Sequence, residues 1–172
     1  VSGSRDSELT IEDIKESHAG KIIVGGSFIG IDAYKKALEL KVRGIVVGGF
    51  NYYDLEEVLG YRLGVAITGT ENLDTSLVVT EGYGNIKMSE RTYNLLKSHD
   101  GKFVSINGAT QIRAGVIRPE IVIPLEKSEI SGVIDSKERN LGMEIDSLVR
   151  VIRAPFFGKI GKVVALPSDL KR

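Results

Sequence analysis

A chain of 172 residues, 42% hydrophobic and 27% charged, has the make-up of one globular domain, or of one domain with a small appendage. Its 23 basic and 23 acidic residues balance, which excludes a uniformly basic nucleic-acid binder and a highly charged disordered chain. There is no cysteine, so disulfides, thiolate catalysis and cysteine-ligated zinc are excluded as well.

In chain order, Val1 to Gly20 reads as a flexible lead holding one short amphipathic turn, Ile11 to Ile14. Thr10 caps that turn, with Asp13 three residues on in the manner of a capping box. Lys21-Ile22-Ile23-Val24 is a β-branched run ended by Gly25-Gly26, the pattern of a buried strand. Ile31, Tyr34 and Leu38 then recur at helical spacing, with Ala33, Ala37 and Leu40 beside them and Lys35, Lys36 and Glu39 opposite. Gly44 is expected to end this helix, and Ile45-Val46-Val47 to form a second buried strand ended by Gly48-Gly49. A strand, a helix and a strand of these lengths make a βαβ unit with parallel strands.

The alternation continues. Asp54 to Gly60 reads as a short helix, Leu63 to Ile67 as a third strand and Ser76 to Thr80 as a fourth. Ser89 is placed to cap a helix reaching Lys97, whose Thr92, Tyr93 and Leu96 face the core, and Gly101 to Asn107 reads as a fifth strand. Ile121-Val122-Ile123 is one more strand between Pro119 and Pro124, and residues 126–146 are loop-like. From Ser147 to Leu166 the apolar residues alternate and turn as in a β-hairpin. The expected fold class is therefore α/β: a layered domain with a mainly parallel sheet over 21–125, a linker over 126–146, and a small β-hairpin or partial β-barrel over 147–172.

The zero net charge divides along that line. From Ser147 to Arg172 there are six basic residues and one acid, a net +5, and the preceding residues carry −5. Such asymmetry points to partners of opposite sign, although a soluble, solvated tail gives the same count. No apolar run reaches the roughly 18 residues that would cross a bilayer. The polar N-terminus is no signal peptide, so a cytoplasmic location with no membrane partner is expected. The chain lacks an initial Met and ends on Asp-Leu-Lys-Arg, which suggests a piece of a longer protein. His18 and His99 lie in different segments without a second ligand at metal spacing, so neither a metal nor a cofactor is expected.

Two sets of residues are candidates for binding. In an open α/β sheet, ligands gather at the carboxyl ends of strands, where backbone N–H groups attract anions. Gly25, Gly26, Ser27, Thr68 and Thr70 belong to such ends, and Arg113 and Arg118 could supply forked cationic contacts to a phosphate. No segment matches Gly-x-Gly-x-x-Gly or a P-loop, and tight turns are the more ordinary account of the glycines. The acids of Asn51 to Glu81 read as a solvated face, with no spacing that singles out a catalytic pair.

The second set is carried by Val149-Arg150-Val151-Ile152-Arg153-Ala154-Pro155-Phe156-Phe157-Gly158-Lys159-Ile160-Gly161-Lys162-Val163-Val164. This stretch resembles the KOW motif of ribosomal proteins and transcription elongation factors: an apolar strand, a turn with Pro and an aromatic, then Gly-Lys-x-Gly-x-Val. KOW modules are small β-barrels that bind RNA, ribosomes or RNA polymerase. The resemblance implies a contact surface of Arg150, Arg153, Phe156, Phe157, Lys159 and Lys162, with lysines meeting phosphates and aromatics stacking on bases. A looser resemblance joins Gly20 to Gly49 to the strand–helix–strand centre of protease-associated and other swivelling β/β/α domains, which are mostly non-catalytic interaction modules.

With no nucleophile beside a base, the chain is expected to be a non-catalytic binding module for RNA or a ribonucleoprotein assembly. The alternative is an α/β domain or enzyme holding a phosphorylated small molecule at the Gly-rich strand ends.

Overall fold

Runs of β-branched residues such as Ile45-Val46-Val47 favour strands buried on both faces, and the centre of the fold is such a strand. In the computed structural model, which describes residues 1–59, 74–110, 118–125, 143–153, 155–156 and 159–166, every residue of Gly44–Phe50 is buried. The chain divides into two units, Val1–Pro124 and Leu125–Arg172.

In the first unit the elements run β1 (Glu8–Leu9), β2 (Ile22–Val24), β3 (Phe28–Ile29), α1 (Ile31–Glu39), β4 (Gly44–Phe50), α2 (Tyr52–Leu59), β5 (Ser76–Tyr83), α3 (Glu90–Ser98), β6 (Ser105–Asn107) and β7 (Glu120–Val122). The expectation of an α/β fold with a mainly parallel sheet holds. β4 pairs in parallel with β2 and β3 along one side and with β5 along the other, and β1 extends the sheet beyond β3. Short parallel strands and crossover helices follow from the alternating pattern, because a parallel return needs a connection of helical length.

The core lies on both faces of β4. Ile45, Val47 and Phe50 pack with Tyr34, Ala33 and Ala37 of α1, while Val46 packs on the opposite face with Val24, Val78, Met88 and Tyr93 of α3. Burying a ring such as Phe50 or Tyr34 stabilises the fold by roughly 1.5–3 kcal/mol each, and the two rings meet edge to face at 5.9 Å. The Tyr34 hydroxyl donates to the Thr75 carbonyl at 2.8 Å. Burial pushes its pKa up to about 12, since the phenolate would be charged in an apolar surround. In α3, the Ser89 side chain accepts from the Thr92 amide at 3.3 Å, the cap that the sequence suggests.

The structure differs from the sequence expectations at several points. The segment 1–20 is not a loose lead. Its Leu9 and Ile14 are buried in the core, β1 pairs with β3, and the Ser2 amide donates to Val24 O at 2.8 Å. Its polar composition hid this, because so few of its residues are apolar. Thr10 and Asp13 do close a turn, with the Thr10 amide and hydroxyl each 2.9 Å from Asp13 Oδ2. Gly44 does not end α1. Lys41 takes the left-handed conformation there (φ 56°), and Gly44 opens β4 where a Cβ would meet Ile106 at 2.9 Å. The glycines Gly48-Gly49 do not end β4 either, since the strand runs through them to Phe50. The fifth strand is shorter than expected and leaves the parallel series: β6 pairs antiparallel with β7, Ile106 opposite Ile121. The third strand expected at Leu63–Ile67 lies outside the described residues.

The second unit contains a two-stranded antiparallel ribbon, β8 (Leu148–Arg150) and β9 (Ile160–Lys162). No helix among the described residues is long and apolar enough to cross a membrane.

Candidate nucleic-acid interface

The ribbon is built by alternation. Leu148 stands opposite Lys162, Val149 opposite Gly161, and Arg150 opposite Ile160. Backbone bonds continue the ladder past the strands on both sides, from Val151 N to Lys159 O at 2.9 Å and from Val163 N to Ser147 O at 3.0 Å. Side chains two residues apart share a face, so Leu148, Arg150, Ile160 and Lys162 lie together on one side of the ribbon. All four are exposed, whereas Val149 and Gly161, on the other side, are half-buried. In an antiparallel ladder the hydrogen-bonded pairs alternate with closer, non-bonded pairs. The bonded ends at Ser147–Val163 and Val151–Lys159 therefore make Leu148–Lys162 and Arg150–Ile160 close pairs. The result is a compact face that mixes two cations with two apolar side chains.

The connection between the strands carries the remaining candidates. Arg153 and Lys159 are exposed, and Phe156 is 56% exposed, so its ring is available to a partner. The Lys159 ammonium sits over the Phe156 ring, 5.3 Å from its centroid, a cation–π contact that sets the charge against one face of the ring. At an exposed site such a contact is worth about 0.5–1 kcal/mol. Lys159 N also donates to Phe156 O at 3.0 Å, closing the turn that holds the pair. Phe157 lies outside the described residues.

The Gly-rich strand ends of the first unit are occupied by the protein's own backbone. The Gly25 amide donates to Val46 O, Ser27 to Ser7 O, Gly48 to Gly26 O and Gly49 to Ser27 O. The buried Ser27 hydroxyl donates to Asp6 O at 3.0 Å. A Cβ on Gly26 would lie 2.5 Å from both Ser4 O and Ser7 O, and one on Gly48 or Gly49 would lie 1.9 Å from Ile86 O or 1.8 Å from Gly84 O. These glycines are present because two chain segments, Ser4–Ser7 and Gly84–Met88, pass directly over them. Lys87 Nζ, 3.6 Å from Asp6 Oδ1, ties those segments together, and Asn85 Nδ2 donates to Glu8 at the start of β1. The donors that an anion would use at Ser27, Gly48 and Gly49 thus have partners within the chain. Arg118 is exposed, while Thr68, Thr70 and Arg113 lie outside the described residues.

No family model matches the chain, and no curated protein or solved structure matches it.

A third group, which periodicity and motif reading pass over, is brought together by the fold. Tyr83 ends β5 opposite Phe50, and α2 begins two residues after Phe50, so Tyr52, Tyr53 and Tyr83 meet at the carboxyl edge of the sheet. The Tyr52 ring stands 5.8 Å from Tyr53 at 78° and 5.2 Å from Tyr83 at 85°. Burial and then the neighbouring Tyr52 raise the Tyr83 pKa above its ordinary value. The signal in the sequence was the Tyr52-Tyr53 doublet directly after a strand, but its link to Tyr83 depends on strand register.

Proposed function

We infer that this chain is a non-catalytic binding module that contacts RNA, free or within a ribonucleoprotein assembly, through the basic ribbon of its second unit. The observation that carries the reading is the exposure of Arg150, Arg153, Lys159, Lys162 and Phe156 on one short ribbon and its connecting turn. Cations at this density attract the phosphate backbone and release its counterions, and an exposed ring offers a face on which an unpaired base can stack. The resemblance to the KOW motif agrees with the same surface. The net +5 of residues 147–172 supplies the long-range attraction.

Salt-dependent RNA binding tests the reading. Wild type should bind single-stranded RNA with an affinity that falls steeply as salt rises. The double substitution Lys159→Glu/Lys162→Glu should weaken binding and lower the slope of log K against log salt by about 2, one per lysine. An affinity that is independent of salt and unchanged by the substitution would overturn it.

A further inference from the structure

We propose that the cluster formed by Tyr52, Tyr53 and Tyr83 is a second binding site, one that takes an organic cation of the methylated or quaternary ammonium class. The three rings form one contiguous aromatic surface. Tyr52 is half-buried and touches both neighbours, while Tyr53 and Tyr83 stand nearly perpendicular to it and are 74% and 54% exposed. Edge-to-face packing stabilises the three rings against one another, and it leaves two large electron-rich rings largely open to water, where a partner can reach them.

The ligand's charge is argued from the surroundings. The helix that bears Tyr52 and Tyr53 carries three acids, Asp54, Glu56 and Glu57, and no base. Asp54 follows Tyr53 directly in the first turn of α2. The amides of that turn do not reverse the sign, because the Asn51 side chain already accepts from the Tyr53 amide at 3.0 Å and Asp54 offsets the helix dipole. An anion is therefore disfavoured. Lys35 of α1 is bound to Glu57 at 2.5 Å, so the cation that reaches α2 is held by its own partner. Soft, weakly hydrated cations are what aromatic faces select over simple ammonium ions, since less hydration is lost on transfer to the ring. The site also lies at the carboxyl ends of β4 and β5, the edge where open α/β sheets present their ligands. Unlike the Gly48-Gly49 amides beside them, the two outer rings are left uncovered by the described residues.

The inference is independent of RNA binding, and its test reads a different surface. Choline and its uncharged carbon isostere, dimethylbutanol, are titrated into the full chain while the tyrosine ring signals are followed by NMR. Choline should give saturable shifts at Tyr52, Tyr53 and Tyr83, with dimethylbutanol binding at least about tenfold more weakly. Tyr53→Ala should abolish the choline response and Tyr53→Phe should retain it, because the ring face and not the hydroxyl makes the contact. Tyr53 is exposed, so Tyr53→Ala leaves the core intact, and an unchanged melting temperature verifies this. Equal affinity for the uncharged isostere, full choline binding by Tyr53→Ala, or the absence of any saturable shift would each overturn the proposal. A negative result on salt-dependent RNA binding would leave it standing.

Discussion

Gly49 and Gly161 both sit inside β-strands of this chain, yet their surroundings are opposite. A Cβ on Gly49 would lie 1.8 Å from the Gly84 carbonyl oxygen, whereas one on Gly161 would meet nothing within 4 Å. The same contrast separates two aromatic residues near these glycines: Phe50 is fully buried and Phe156 is 56% exposed. The first unit uses its glycines to let backbone pass over backbone and engages the amides of Gly25, Gly48 and Gly49 within the chain. The ribbon of the second unit keeps its cations and its ring in water. A surface that the protein has already filled is a poor place for a ligand, and one held open at the cost of exposed apolar area is a better one.

Four sets of substitutions would break or sharpen that contrast. Phe50→Ala should destabilise the first unit by about 4 kcal/mol through the cavity left beside Tyr34, whereas Phe156→Ala should cost about 0.5 kcal/mol or less. Chemical denaturation of both variants checks this, and equal losses would erase the distinction between the regions. Gly49→Ala should cost about 3 kcal/mol, since the Gly84 backbone must move, while Gly161→Ala should stay within about 0.5 kcal/mol. The difference in their thermal midpoints is the readout.

Tyr34→Phe should cost about 1 kcal/mol by removing the hydroxyl that donates to Thr75 O. It should also change the alkaline limb of stability. The folded-state pKa of Tyr34 lies above its unfolded value of 10.0, at about 12. The protonated phenol is therefore favoured by folding, and its contribution is complete below pH 10 and lost as pH rises through about 12. The Phe variant should show a shallower decline over that window, as measured by denaturation at fixed pH steps.

The smallest effect is expected at Asp13, whose carboxylate is held below its usual pKa by the Thr10 amide and then the Thr10 hydroxyl. With the folded pKa depressed, the contribution is present above the unfolded value of 3.8 and disappears as pH falls through the folded one. Asp13→Asn should therefore cost a few tenths of a kcal/mol at neutral pH, this being an exposed turn, and the gap from wild type should close in acid.

The βαβ centre was legible because its cause is local. Ile22 to Val24 and Ile45 to Val47 are β-branched runs, and Tyr34 and Ala37 recur on one helical face, so residues near in sequence suffice to set the elements. Ser89 as a cap and the turn at Thr10–Asp13 were readable for the same reason. The ordered state of residues 1–20 was not legible, because Glu8 and Leu9 become a strand only when β3 offers its edge. The reach of β4 through Gly48-Gly49 was hidden too, since local propensity treats a glycine pair as a stop.

For the candidate sites, residue order by itself determined which side chains were cationic and aromatic in the 147–172 stretch, and that its charge opposes the rest of the chain. Charge and residue type are properties of the chain and survive any folding. Only the tertiary structure decided what was accessible. Strand pairing put Arg150 and Lys162 on one exposed face, bonds between residues 25–27 and β4 engaged the glycine amides, and the register of β4 with β5 brought Tyr83 to Tyr52 and Tyr53. Access depends on contacts between residues far apart in sequence, which no local pattern encodes.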